Sequence, residues 1–380
     1  RQSEFFLYTE KDRRALDACL AKGYRYPEIT GWVRAVAADL QLVVDAGLKE
    51  TGILTSVSDY HIFLKMKISR KEALEKYLAI VKAALDKGIV PRCHFEDVTR
   101  ADTYGFCIPF AIELMKLREE SGIDIKIRLC DTMGFGVTYP GAALPRSVPK
   151  LVRAFIDEAG VPGHLLEWHG HNDFHKVLVC AAKAWLYGCA GANGTLLGFG
   201  ERTGNAPIEG LLMEYIGLRG AMDGIDTTAI TDAAEYFQKE LGYRIPPNYP
   251  FVGEDFNATK AGIHADGLVK DEEIYNIFDT KRLLKRPVSV IITDKSGVAG
   301  IAYWVNNRLR LSGDQRLDKR HPGIVKIHKR VMEEYAAGRT TSISNEELER
   351  WARRYLPEYF VSEFDRLKER ARSLAAHLVA

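Results

Sequence analysis

Glu50-Thr51-Gly52-Ile53-Leu54-Thr55-Ser56-Val57, the amphipathic stretch Arg70–Lys87, Gly88, and then Val90-Pro91-Arg92-Cys93-His94-Phe95 form the run that decides the fold. A short apolar, β-rich segment leads into helical spacing, a glycine stands at the C-cap position, and a second β-rich segment follows. Two strands separated by a helix pair in parallel, so the run is one strand–helix–strand unit. Upstream, the same reading makes strands of Ser3–Tyr8 and Tyr26–Val33, followed by helices over Lys11–Lys22 and Ala37–Ala46. Downstream, strands are expected at Ile125–Leu129, Leu165–His169 and Gly194–Phe199. Helices are expected at Phe106–Glu120, Val148–Ala159, His175–Tyr187 and Ile208–Arg219, and Gly23, Gly47, Gly122 and Gly160 are further C-cap candidates. Strict alternation of this kind is α/β, a parallel sheet covered by helices. Seven units are read over residues 1–224, whereas a closed (β/α)8 TIM barrel needs eight in about 250 residues. The expectation is a barrel whose first strand and helix precede Arg1, where the chain opens with no Met and no signal segment.

Beyond Gly224 the rhythm changes. Pro246, Pro247 and Pro250 mark residues 225–250 as a linker. Residues 251–312 are expected to form a smaller α+β segment. A helical C-terminal region follows over 313–380, read as a solvated pair at Glu346–Leu356 and Val361–Leu378.

Composition excludes several classes. With 46% hydrophobic and 27% charged residues, the chain has the balance of a globular protein rather than a disordered one. No uncharged apolar run approaches the roughly 18 residues of a membrane span. The 53 basic and 51 acidic side chains leave a net charge of +2, too small to argue for nucleic acid or a membrane surface. Cys19, Cys93, Cys107, Cys130, Cys180 and Cys189 are scattered, with no C-x-x-C pair, so a reducing, cytoplasmic setting is expected.

The sharpest chemical signal is Trp168-His169-Gly170-His171-Asn172-Asp173. Residues two apart on a strand project to one face, so both imidazoles can reach one metal ion. The expected strand ends at this pair, and barrel enzymes place their chemistry at the C-terminal ends of strands. The bland alternative is two hydrogen-bonding histidines at a strand end. Gly198-Phe199-Gly200-Glu201-Arg202-Thr203-Gly204-Asn205-Ala206 is the second signal, a glycine-rich turn in which Asn205 offers a neutral oxygen to a divalent cation. Alone it reads as a loop; beside the histidine pair it supplies a third metal ligand. His175 is read as structural.

These two stretches, with Ser56–His61, Glu96–Arg100, Asp131–Gly134 and Ala261–Gly267, resemble the acyl-CoA-condensing branch of the barrel metallolyases. That branch includes the isopropylmalate, citramalate, homocitrate and Re-citrate synthases. The resemblance runs through about residue 310. Glu167–Glu209 and Asn248–Pro287 are most similar to the members that join acetyl-CoA to oxaloacetate, as is the lack of a long C-terminal β-rich domain. The family's first-strand segment, whose Asp binds metal and whose Arg faces the keto acid, has no counterpart here. Whether this chain is catalytic alone therefore stays open beside the alternative of a non-catalytic metal-binding barrel.

The resemblance implies a metal-dependent Claisen condensation giving citrate and CoA, with homocitrate or 2-isopropylmalate synthesis from another 2-keto acid as the rival. It implies Mn²⁺ or Mg²⁺ held by His169, His171 and Asn205. Glu96, His264 and Tyr275 match positions for proton work and thioester polarisation, with His264 folding over the mouth and Asp266 near enough to orient it. His61, Arg100 and Thr132 match substrate-binding positions. For Arg100 the alternative is a surface pair with Asp97 or Asp102; for Thr132, a helix cap; for Glu96, a helix-start carboxylate; for Tyr275, a core aromatic. The resemblance also implies a homodimer exchanging residues 251–312. A retro-Claisen lyase is disfavoured by the segment around His264, and a metal hydrolase by the late position of the histidine pair.

Overall fold

The computed structural model describes residues 1–360, so the expected helix at Val361–Leu378 lies outside the described residues. The chain divides into two compact units, Arg1–Asp223 and Gly224 onward. In the first, seven strands run in chain order: β1 (Gln2–Phe6), β2 (Glu28–Arg34), β3 (Glu50–Ser56), β4 (Val90–Glu96), β5 (Lys126–Asp131), β6 (Leu166–Gly170) and β7 (Gly191–Asn193). Each pairs in parallel with the next. They are followed in turn by α1 (Glu10–Leu20), α2 (Ala37–Asp45), α3 (Arg70–Leu85), α4 (Ile108–Ser121), α5 (Val148–Asp157), α6 (Val177–Tyr187) and α7 (Ile208–Arg219). Capping boxes at Thr9/Asp12 and Ser69/Glu72 start α1 and α3. Gly23, Gly47, Gly88, Gly122 and Gly160 all take the left-handed conformation just past a helix.

The strands alternate, and their two faces differ. Outward residues such as Ile53, Phe95, Leu129 and Trp168 are buried under the helices. Phe95 stacks on Phe110 of α4 with centroids 4.8 Å apart and meets Phe155 of α5 edge-on at 5.4 Å. Inward residues carry charge. Arg92 of β4, wholly buried, pairs with Glu4 of β1 and with Glu50 of β3 at 2.6 Å, and lies 3.7 Å from Glu167 of β6. Arg128 of β5 reaches Glu4 at 3.1 Å and Glu167 at 2.8 Å. Side chains from strands four places apart in the sheet order meet only if the sheet curls into a cylinder. This is a (β/α) barrel, with seven of the eight units of the closed form.

The seventh strand departs from expectation. It is Gly191–Asn193, not Gly194–Phe199; the latter stretch bends into a turn at Leu196–Gly198, where Leu197 has φ of 55°. Thr195 bonds out of the sheet, donating from its N–H to the Ala206 carbonyl and accepting from the Ile208 N–H. The turn thereby folds back on the segment that carries Asn205.

The second unit has its own core. The stretch expected as a linker contains α8 (Ala229–Lys239), anchored by hydroxyl donation from Thr227 and Thr231 to the carbonyls of Leu283 and Leu284. Two short strands, β8 (Ala258–Thr259) and β9 (Ser289–Val290), pair in parallel beside α9 (Gly262–Lys270), α10 (Thr280–Leu284) and α11 (Gly297–Arg308). The helices α12 (Pro322–Ala336) and α13 (Asn345–Tyr355) follow. The expectation that Glu346–Leu356 is solvated is corrected for one face: Leu348, Ala352 and Leu356 are buried with Ile301, Ile324 and Ile292 in a single core. Its charged face, including Arg350 and Arg353, stays exposed.

Candidate metal centre and substrate pocket

β6 ends at Gly170, so His169 is the last inward side chain of that strand and His171 stands in the loop just past it. Their Nε2 atoms lie 3.2 Å apart, with the rings nearly perpendicular. Two imidazoles share that spacing when both lone pairs point to one ion at about 2.1 Å. His169 Nδ1 is 2.7 Å from Asn193 Oδ1, an acceptor, so the ring proton sits on Nδ1 and the Nε2 lone pair faces His171. Burial, then the neighbouring His171 and Arg128, hold the His169 imidazole neutral, with its pKa pushed down to about 3. His171 is also shifted down, by burial and by the charge of Arg202. A metal ligand must be neutral imidazole, and these surroundings supply it.

Asn205 comes alongside through an antiparallel bridge with His171. Its amide N–H donates to the Phe199 carbonyl at 3.1 Å, and its buried Oδ1 has no hydrogen-bond partner. His171 Nδ1 is buried and unpartnered as well. A buried acceptor left unmade costs about 1–3 kcal/mol, so a ligand for Asn205 Oδ1 offsets a real penalty. The turn that delivers Asn205 depends on glycine. Gly204 has φ of 90°, and a Cβ there would stand 2.1 Å from the Gly198 carbonyl oxygen; a Cβ at Gly200 would meet the Asn205 amide carbon at 2.8 Å. The residues therefore fit a divalent ion held by two imidazole nitrogens and an amide oxygen. Among the described residues no group of three or more His, Cys, Asp or Glu side chains converges on a metal position.

The neighbouring strand ends bring together the remaining expected residues of this unit. Glu96 closes β4 rather than opening a helix, and accepts from the Ser56 hydroxyl at the end of β3. His61, in the turn after β3, puts Nε2 3.5 Å from Glu96 Oε1 and Nδ1 3.4 Å from Asp97 Oδ2. Arg100 is committed on one edge: Nε and Nη2 both donate to Asp97 at 2.8 Å, and the guanidinium lies 4.4 Å from the Tyr60 ring centroid. Its Nη1 makes no hydrogen bond among the described residues. Asp102, the other candidate partner, is taken by Arg70 at 2.9 Å. Thr132 is not a helix cap; its hydroxyl accepts from the Asp97 backbone N–H at 2.8 Å.

His264 and Tyr275 belong to the second unit, where their rings meet at 4.5 Å. Tyr275 is half exposed and lies against Gly267, which has no side chain to displace it, so it is not a core aromatic. Asp266 does not orient His264. It pairs with Lys319 at 2.7 Å and Lys270 at 2.9 Å, which hold its pKa down at about 2.

Two residues of this region were not singled out in the sequence, and a third, Asp97, was named only as a surface partner for Arg100. Asn193 fixes the His169 tautomer, and Arg202 ties Asp173 to the Thr132 carbonyl at 2.9 and 2.5 Å. Asp97 is the third, buried among Ser58, His61 and Arg100. Asp97 and Arg202 lie inside quoted motifs, but their partners come from other loops; Asn193 ends a strand with no apolar signal.

A family model described as HMGL-like matches residues 5–237. The Citrate (Re)-synthase of Syntrophus aciditrophicus is 69% identical over 375 residues, which is 99% of this chain and 60% of that protein. The Citrate (Re)-synthase of Clostridium kluyveri is 51% identical over 94% of this chain and 79% of its own length. The 2-phosphinomethylmalate synthase of Streptomyces hygroscopicus is 36% identical over 92% of this chain and 79% of its own. Among solved structures, hydroxymethylglutaryl-CoA lyase from Pseudomonas aeruginosa aligns at 21% identity and a TM-score of 0.49, covering 62% of this chain and 76% of that one. The chain thus spans 60% of the first relative's length, and with these matches it belongs to the HMGL-like family, in the branch of the isopropylmalate, homocitrate and citramalate synthases.

Proposed function

We propose that the protein joins acetyl-CoA to oxaloacetate, giving citrate and free CoA. The observation that carries this reading is the His169–His171 pair, with facing Nε2 atoms at 3.2 Å beside the unpartnered Asn205 Oδ1, in a chain 69% identical to a Citrate (Re)-synthase. A divalent ion held by these three residues, Mn²⁺ or Mg²⁺, would supply Lewis-acid polarisation of the keto-acid carbonyl. The protein residues do the rest. Glu96, held by Ser56 and His61, takes a proton from the acetyl methyl group, leaving the electron pair on carbon to form the new C–C bond. Thr132 binds the proximal carboxylate. Arg100, anchored by Asp97 on one edge, offers Nη1 to the distal carboxylate that oxaloacetate alone among the rival keto acids places so near. His264 and Tyr275 polarise the thioester, and water then cleaves its C–S bond to release CoA.

The protein is further proposed to work as a homodimer in the cytoplasm. The free state of all six cysteines fits a reducing compartment, and Ile263 and Ile277, 75% and 97% exposed, are apolar surface suited to association. The test is CoA release by the metal-loaded protein against a panel of keto acids. Oxaloacetate should react; release with 2-oxoglutarate or 2-oxoisovalerate but not oxaloacetate would move the assignment to homocitrate or isopropylmalate synthesis. Sedimentation at micromolar concentration checks the dimer.

A further inference from the structure

Asp97 enters the reading above only as the anchor of Arg100, yet three residues of that reading, His61, Arg100 and Thr132, meet at it. It is wholly buried, and its φ of 67° is a conformation that a non-glycine residue keeps only where its surroundings hold it. Its carboxylate accepts from Ser58 Oγ at 2.6 Å and from Arg100 Nε and Nη2 at 2.8 Å each, with His61 Nδ1 at 3.4 Å. Its backbone N–H donates to Thr132 Oγ1 at 2.8 Å. One residue therefore links the loops after β3, β4 and β5.

The protons in this cluster can be assigned. Burial alone would raise the Asp97 pKa, but hydrogen bonds from His61, Arg100 and Ser58 outweigh it and hold the group below the usual carboxylate range. An ionised carboxylate only accepts, so Ser58 spends its single hydroxyl proton on Asp97. The Ser58 oxygen is then the acceptor in its 2.9 Å contact with His61, and His61 Nδ1 is the donor. That leaves His61 Nε2, 3.5 Å from Glu96 Oε1, as the ring atom able to exchange a proton with Glu96.

We propose that Asp97 is the positioning residue of this site, fixing His61 in its Nδ1–H form with Nε2 toward Glu96 while holding Arg100 and Thr132 in place. The proposal rests on the condensing reading for its kinetic consequences alone. During reaction, the proton that Glu96 takes from the methyl carbon passes to His61 Nε2. One O–H bond breaks, one N–H bond forms, Glu96 returns to carboxylate, and the imidazolium stands against Asp97.

The test uses the intact protein and two variants, Asp97→Asn and Ser58→Ala. Nitrogen-15 NMR of labelled histidines, with His61 assigned by its loss in His61→Gln, should show Nδ1 protonated in the parent and that signature lost in both variants. With metal and keto acid, Asp97→Asn should lower kcat about 100-fold and raise KM for the keto acid, leaving KM for acetyl-CoA within about twofold. In an Arg100→Ala background its cost should shrink, because part of its effect runs through Arg100. Unchanged His61 resonances in folded variants, or a cost that multiplies fully with Arg100→Ala, would overturn the proposal. If Asp97→Asn does not fold, Ser58→Ala carries the NMR test. If the parent releases no CoA with any keto acid, the condensing reading falls and the NMR result still decides the role of Asp97.

Discussion

At the scale of single residues, the proposed metal centre depends on side chains that hold other side chains. His169 offers Nε2 because Asn193 occupies Nδ1. Removing the ligand in His169→Ala should abolish stoichiometric binding of a divalent ion, read by equilibrium dialysis. Removing the support in Asn193→Ala leaves both imidazoles present but frees the tautomer and ring angle, and such partners typically cost about 10–100-fold in metal affinity. Equal metal content in the parent and His169→Ala would remove the footing of the whole assignment. The pair itself was legible because two histidines one residue apart on a strand must share a face. Asn193, Arg202 and the contacts of Asp97 with Ser58 and Thr132 were not, because each joins partners between 24 and 70 positions apart whose proximity is created only by the curl of the barrel.

At the scale of elements, the Leu196–Gly198 turn and the chain to Asn205 make the clearest case. Gly204→Ala would place a methyl group 2.1 Å from the Gly198 carbonyl at a φ of 90°, so the turn must move. The expected result is a loss of about 1–3 kcal/mol in stability, with weakened metal binding because Asn205 shifts with the turn; chemical denaturation and dialysis read the two effects. The same region explains where the sequence misled. Gly191-Ala192-Asn193 contains no β-branched or large apolar residue, so it gives no strand signal, yet it pairs with β6 through Trp168 and His169. Thr195-Leu196-Leu197 has strand-like composition, yet bonds back to Ala206 and Ile208. The six earlier strands were legible because their outward faces are apolar and bounded by helix starts and glycine stops. Position in the sheet overrode propensity only where neither signal existed.

At the scale of the whole molecule, the barrel axis is filled with charge, and this fixes how the fold answers pH. Glu167 is held below the usual carboxylate range: burial raises it, but Arg128, Arg92 and Lys126 together lower it further. A carboxylate whose folded pKa is depressed contributes stability that is present above its unfolded value and lost as pH falls. His94 acts on a higher window. Its Nδ1 accepts from the Trp32 indole N–H at 3.3 Å, and burial, then Arg128 and Arg92, keep it neutral well below its ordinary 6.5. Below that pH the unfolded chain binds protons that the folded chain refuses at His94 and likewise at His169 and His171, so stability should decline from about pH 6.5 downward through these histidines, then more steeply below about pH 4.5 through Glu167. Thermal melts across pH 3.5–7.5 on the parent, His94→Gln and Glu167→Gln separate the two. His94→Gln should reduce the slope between about pH 6.5 and 5 without abolishing it, because His169 and His171 still contribute there. Glu167→Gln should flatten the acid limb and cost about 3 kcal/mol at neutral pH, because Arg128 is left buried with one fewer partner. A parent whose melting temperature is constant from pH 7 to 4 would mean that the charges along the axis are solvated rather than enclosed, and the curled-sheet packing inferred from the Arg92 and Arg128 contacts would not hold in solution.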